Sequence, residues 1–171
     1  EGEEKTERVP VREYLQIVAA SNFKQRSRMS MLYYHADRLN YAVIGTGNKN
    51  EHEQGFFVKY GDGGADIKPI AHLFKTQVFQ LAEYLDVPEE IRRRTPTTDT
   101  YSAECTQEEF FFRVPFEIGD LVWYAMERGV PTAEVARELA IGEDQVINIQ
   151  NDIRRKIKAT EYLRAEPKHL G

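Results

Sequence analysis

Between Gly45 and Lys75 the chain gathers residue types that handle phosphate and a hard cation. The stretch from Tyr41 reads YAVIGTGNKNEHEQGFFVKYGDGGADIKPIAHLFK. It starts as an apolar strand, breaks at Gly45-Thr46-Gly47, crosses a loop carrying Glu51, Lys59 and Asp66, and closes on Lys75 at the start of a helix. An apolar strand that ends in small residues and runs into charges of both signs is the pattern of a phosphate-and-metal site in an α/β protein. Taken singly, Glu51 reads as a solvated loop carboxylate and Lys59 and Lys75 as surface lysines. The glycines at 61, 63 and 64 read as a turn, because glycine reaches positive φ cheaply. The residue types alone leave both readings open.

The elements around this stretch must position it. Val9-Pro10-Val11 reads as the tail of a strand, and Tyr14, Leu15, Ile17 and Val18 as a short amphipathic helix. Asn22 is an expected N-cap for a helix over roughly Phe23 to Leu39, whose Met29, Leu32, Tyr33, Ala36 and Leu39 recur at helical spacing. Tyr41–Ile44 predicts a buried parallel strand. Ala65–Ile70 predicts a brief second one, because Pro69 cannot donate to a ladder. Helices are predicted over Lys75–Leu85 and Phe116–Arg128, the second ended by Gly129. The run Arg92–Tyr101 is a polar loop, and Thr106-Gln-Glu-Glu109 has the form of a capping box. Thr132–Leu139 and Asp144 to about Leu163 form a helical hairpin joined at Ile141-Gly142. Residues 1–8 are charged and expected to fray. Two or three strands are too few for a closed-off parallel sheet, which needs neighbours on its edges and cover on both faces. The sequence therefore predicts part of a larger α/β protein.

With 171 residues the chain suffices for one domain with a real core. Its 41% hydrophobic and 30% charged content is that of an ordinary globular protein. A net charge of −5 argues against a dedicated nucleic-acid binder, which needs a basic face. The single Cys105 excludes an internal disulfide and a multi-cysteine zinc site, and it reads as an ordinary thiol. No run approaches the ~18 apolar residues of a membrane span, and no signal-peptide core is present. A reducing, cytoplasmic location is expected. The 132–158 hairpin has the apolar pattern of a helix-turn-helix. However, its second helix opens on Gly142-Glu143-Asp144, whose carboxylates would repel DNA where base contacts are needed. Its basic residues, Arg154, Arg155, Lys156 and Lys158, sit where they complement the helix dipole.

GTGNKNE, GFFVKYGDGGADIKPI, FKTQV, LAEYLDVPEEI and TPTTD follow one another over residues 45–99, and in this order they strongly resemble NAD synthetase of the ammonia-dependent type. FKQRSRM at 23–29 extends the likeness upstream, and TQEEFFF and the terminal hairpin extend it more weakly downstream. The resemblance implies an α/β fold of the ATP-pyrophosphatase type, part of a parallel sheet flanked by helices, with a C-terminal helical hairpin. It implies amidation of deamido-NAD by ammonia through an acyl-adenylate, with ATP as co-substrate and Mg2+ as cofactor. It also implies a homodimer, with ammonia taken from solution or from a glutaminase partner. By motif position Thr46, Lys75 and Thr97 would contact ATP, and Glu51 would ligate magnesium. Arg26, Lys59 and Asp66 would hold deamido-NAD, and no residue stands out as a general base. The family's hallmark Ser-Gly-Gly-x-Asp-Ser loop is absent from the sequence. Residues 1–171 are thus expected to be one incomplete domain, the C-terminal portion of the synthetase. Where the family usually ends in Glu-His-Lys-Arg, this chain reads Glu161-Tyr162-Leu163-Arg164, with Lys168-His169 further on. Two alternatives follow: a non-catalytic part that needs its other half, or an amide ligase of the same fold acting on another carboxylate.

Overall fold

A computed structural model describes residues 8–98 and 105–169. Its longest element, α1 (Val11–Leu39), is one continuous helix where the sequence predicts a strand tail and two helices. Between Val18 and Phe23 the chain has only Ala, the best helix former, with Ser and Asn, which cost a helix about half a kcal/mol each, and no Pro or Gly to break it. Asn22 therefore lies inside the helix, and the cap is Pro10. Asn40 ends α1 in the left-handed conformation, its amide and that of Tyr41 turning back onto Asp37 and Ala36.

The two predicted strands come together at Ile44 and Ile67, and there the sheet stops. Gly45 N–H donates to Ile67 O (2.8 Å) and Asp66 N–H to Val43 O (2.9 Å), a single parallel bridge. Among the described residues no strand forms, which corrects the expected parallel sheet. The reason is the one the strand count gave: a lone pair of parallel segments leaves Ile44 and Ile67 about half exposed, and no other described segment extends the ladder. Gly45 is required at the crossing, because a Cβ there would stand 2.8 Å from that of Ala65.

The core is built by the C-terminal helices. In α5 (Phe116–Arg128) Val122, Trp123 and Ala125 face inward, and Gly129, at φ 68°, ends the helix as predicted. The short α6 (Thr132–Leu139) and α7 (Glu143–Ala159) form the predicted hairpin, packing Val135, Ala136 and Val146 onto α5. Thr160 divides the expected long last helix, so that a single turn, α8 (Glu161–Arg164), follows α7.

Shorter elements hang on this core. α3 (Lys75–Tyr84) begins immediately after Phe74, whose buried ring meets Trp123 edge-on at 5.5 Å and packs with Ile153. Burying such a ring contributes about 2–3 kcal/mol and fixes where α3 starts. α2 (Lys49–Gln54) lies against α7, and α4 (Glu89–Arg92) takes in the first residue of the predicted polar loop. The last residues of that loop, 99–101, and most of the charged N-terminus lie outside the described residues. Thr106 and Glu109 do form a capping box, with Thr106 N–H donating to Glu109 Oε2 (3.1 Å) and Glu109 N–H to Thr106 Oγ1 (3.1 Å). The turn it opens, Glu108–Phe112, is π-helical rather than α-helical. No helix among the described residues is long and apolar enough to cross a membrane.

Candidate functional site

Asn48, the residue after Gly-Thr-Gly, caps α2 by accepting from Glu51 N–H (3.1 Å), while Glu51 Oε2 accepts from Asn48 N–H (2.9 Å). This reciprocal box anchors Glu51 by one oxygen. The other, Oε1, lies 3.8 Å from Lys75 Nζ. Both side chains are largely covered, and the Lys75 ammonium also sits 5.8 Å from the ring centroids of Phe79 and Phe116. A carboxylate and a cation are thus held face to face from two different elements.

What holds those elements together is a buried polar network that the sequence reading did not single out. Asp120, in the middle of apolar α5, accepts from Asn50 Nδ2 on α2 and from Thr76 N–H and Oγ1 on α3 (2.9 Å each). Asn50 Oδ1 in turn accepts from Lys75 N–H (3.0 Å). The free amides at the start of α3 are therefore satisfied by side chains of α2 and α5. The sequence did carry a signal: Asp120 occupies an inward position of FEIGDLVWYAMER, where a carboxylate is tolerated only with partners.

The far end of α2 is clasped by the C-terminus. Thr160 Oγ1 donates to Gln54 O (3.1 Å), and Arg164 donates to His52 O (3.2 Å), Thr160 Oγ1 (3.1 Å) and Ile157 O (2.7 Å). Gly55 must be glycine there, with φ at 78° and any Cβ only 2.2 Å from Thr160. Burial, then the nearby charges of Lys68 and Arg164, lower the His52 imidazole below its usual range against the opposing pull of Glu53.

An open cleft of about 760 Å³ runs along this assembly. Thr46, Glu51, Lys75 and Thr97 all line it, so the residues expected for ATP and magnesium lie on one cleft. A volume of this size suits a nucleotide. Phe56, Phe57, Phe110 and Phe111 supply an aromatic side that the motif reading missed.

Arg26, Lys59 and Asp66, expected for deamido-NAD, are not among the lining residues. Each is engaged within the fold. Asp66 accepts from Val43 N–H (2.7 Å) and Tyr33 O–H (3.1 Å); burial, with Asp66 next, raises the Tyr33 phenol above its usual range. Arg26 Nε donates to Lys59 O (3.2 Å), and Lys59 Nζ to the carbonyls of Tyr162 (3.0 Å) and Ala165 (2.8 Å). Lys59 thus touches the segment where Tyr162-Leu163 stand in place of His-Lys; Lys168 and His169 beyond it are exposed. Asp66→Ala is expected to cost about 1–2 kcal/mol by stranding the amide of buried Val43, a fall of roughly 2–8 °C in melting temperature. Thermal denaturation with an unchanged midpoint would mean that the carboxylate does no work in the fold.

The fold is that of the NAD and NMN synthetases. Over 90% of this chain and 57% of the other, it superposes on the NMN synthetase from Francisella tularensis with a TM-score of 0.69 at 30% identity. The NH3-dependent NAD synthetase from Campylobacter jejuni shares the fold, with a TM-score of 0.63 at 23% identity over 97% of this chain and 58% of its own. In sequence, residues 4–167 match the NAD synthase family, and the chain belongs to it. The NH(3)-dependent NAD(+) synthetase of Rhizobium rhizogenes is 55% identical over 98% of this chain and 50% of its own length. That of Methanosarcina mazei is 36% identical over 93% of this chain and 60% of its own. Such relatives are carbon–nitrogen ligases by name, and the chain spans about half the length of the first of them.

Proposed function

We propose that this chain serves, within the complete protein, the ATP-dependent amidation of deamido-NAD to NAD with ammonia. The observation that carries the proposal is the meeting of Thr46, Glu51, Lys75 and Thr97 on one nucleotide-sized cleft, in a chain of this family. In the reaction a substrate carboxylate oxygen attacks the α-phosphorus of ATP, and pyrophosphate leaves as the acyl-adenylate forms. Ammonia then attacks the acyl carbon, loses a proton, and AMP departs with the carboxyl oxygen it gained. Lys75 is suited to the charge that develops on the departing pyrophosphate, because a largely covered ammonium held beside Glu51 before the reaction needs little reorganisation. Thr46 and Thr97 offer hydroxyls in the same cleft to orient the nucleotide.

The donor set fits Mg2+ in a limited way. No group of three or more His, Cys, Asp or Glu gathers among the described residues, so a cage made of protein alone is not available there. Magnesium is commonly held by one or two carboxylates together with substrate phosphates and water, and Glu51 can supply one such oxygen. When bound, the ion would neutralise phosphate charge. Holding Glu51 in place is the task of Asn48.

Arg26, Lys59 and Asp66 remain our proposed deamido-NAD contacts, although they are not among the residues that line the cleft. A cytoplasmic location and a homodimer belong to the same proposal, and the homodimer is supported by exposed apolar residues along α1, among them Tyr14, Leu15, Phe23 and Leu32. A second reading is favoured by the Francisella likeness and by the absence of those three residues from the cleft: an amide ligase of this fold whose carboxylate is the mononucleotide.

The test gives the complete protein ATP and ammonium with either deamido-NAD or nicotinate mononucleotide, and follows AMP and amide. Deamido-NAD-dependent AMP formation is expected; turnover of the mononucleotide alone would move the assignment to the second reading, and turnover of neither would end it. The 171-residue chain by itself, having no Ser-Gly-Gly-x-Asp-Ser sequence, is expected to form no AMP. Measurable AMP from it would show that this loop is dispensable.

A further inference from the structure

Asn48 holds the Glu51 carboxylate, but the helix beneath both is too short to place itself. α2 has six residues, and an isolated helix of that length, about 9 Å, is not stable in water. Its position is therefore set by what holds its two ends. At the N-terminal end Asn50 Nδ2 donates to Asp120, and Lys49 N–H donates to Leu73 O (2.8 Å). At the other end, the carbonyls of the last turn have no partner inside the helix. Glu51 O accepts from Phe56 N–H (2.8 Å) and from the Gly55 amide. His52 O and Gln54 O instead reach across to the C-terminal segment, to Arg164 and Thr160.

Arg164 is the firmer of these two ties. Thr160 has one hydroxyl proton, and its Oγ1 lies nearer to Lys156 O (2.7 Å) than to Gln54 O (3.1 Å). The guanidinium has a separate donor for each helix, Nη1 to His52 O (3.2 Å) and Nη2 to Ile157 O (2.7 Å). Two helices, α2 and α7, thus end on one cation, where a positive charge complements both dipoles. The single turn α8 that carries Arg164 is steadied in its turn by Lys59 Nζ, on the carbonyls of Tyr162 and Ala165. Arg164 is not among the residues that line the cleft, so it reaches the chemistry there only through α2.

We propose that Arg164 is a positioning residue for Glu51. By tying the end of α2 to the end of α7, it keeps the Glu51 carboxylate on the cleft and 3.8 Å from Lys75 Nζ. The inference rests on the proposed function for the task of Glu51. Displacing an aligned group by about 1 Å can cost on the order of a hundredfold in rate, so a distant backbone tie is felt at the site.

The test uses the complete protein with Arg164→Met, which keeps the apolar stem, alone and combined with Glu51→Gln. Amide hydrogen exchange without ligands reads the tie itself. The amides of His52 and Phe56, bonded to Asn48 O and Glu51 O, should exchange about tenfold faster or more in Arg164→Met, while those of α6 keep their rates. Turnover reads the consequence: kcat should fall about tenfold, and half-maximal activity should require more magnesium. On the Glu51→Gln background exchange should quicken just as much, yet kcat should fall by less than about twofold further, because no carboxylate remains to misplace. Arg164→Lys keeps the charge and part of the bonding, so both readings should shift the same way by less. It carries the same comparison if the methionine variant does not fold. Faster exchange with wild-type kcat and magnesium requirement would make the tie purely structural and overturn the proposal. Unchanged exchange in α2 overturns it as well, and so do losses in kcat that multiply in the double variant. Each of these leaves the ligase reading intact. A wild-type protein that forms no AMP overturns the proposed function, and the positioning role falls with it.

Discussion

Asp120→Ala should lower the stability of this protein by about 3 kcal/mol or more, a fall of roughly 6–12 °C in melting temperature. The carboxylate is buried and accepts from Asn50 Nδ2, Thr76 N–H and Thr76 Oγ1. Truncation strands donors of α2 and α3 together, and stranded buried donors cost about 1–3 kcal/mol each. Asp120→Asn is the sharper test, because it keeps the volume. The new amide has one acceptor for Thr76 but turns a donor toward Asn50. If Asn50 flips to accept it, Lys75 N–H loses its own acceptor. The double substitution Asn50→Asp with Asp120→Asn moves the charge to α2 and restores every donor–acceptor match, so most of the lost stability should return. A double-mutant cycle reads the coupling directly. Additive losses, with no recovery in the pair, would mean that the network is not what joins the two helices. Because Lys75 opens α3, the single variants should also lose turnover in the complete protein, and the pair should regain part of it.

That network also shows where sequence reading stops. Capping signals are local, so Thr106–Glu109 and the end of α5 at Gly129 were legible, as was the start of α3 at Lys75. That Thr46, Glu51, Lys75 and Thr97 line one cleft followed only from an ordered set of motifs, and no spacing rule states that residues so far apart share one. The break predicted at Asn22 failed because a polar residue inside a helix costs less than ending one, and no tertiary partner forced the choice. The predicted strands failed from the opposite cause. A parallel strand is stabilised by neighbours in the ladder rather than by its own sequence, and among the described residues Ile44 and Ile67 are bridged only to each other. The π-turn was out of reach as well. A capping box marks the start of a helix without fixing its pitch, which here is set by Phe112 entering the core.

Glu51→Gln separates the two tasks of its side chain, and it should cost well over tenfold in kcat/KM with almost no cost in stability. Glutamine serves a capping box as glutamate does, so Asn48 N–H keeps its acceptor and the turn carrying Gly45-Thr46-Gly47 stays in register. The melting temperature should move by no more than about 2 °C, the shift expected for a few tenths of a kcal/mol. What disappears is the charge on Oε1, the oxygen that faces Lys75 Nζ across 3.8 Å. A neutral amide is a poor ligand for a hard divalent cation, so half-maximal activity should require more magnesium as the maximal rate falls. Lys75→Ala should behave differently. It leaves the carboxylate in place, so it should slow formation of the acyl-adenylate while the magnesium requirement stays closer to wild type. Pre-steady-state release of pyrophosphate, measured against magnesium for the two variants in the complete protein, distinguishes these cases. If Glu51→Gln lowers the rate with an unaltered magnesium dependence and an unaltered melting temperature, the carboxylate acts only by orienting Lys75. If the melting temperature falls in proportion to activity, its work is to cap α2, and the metal must be held by other groups.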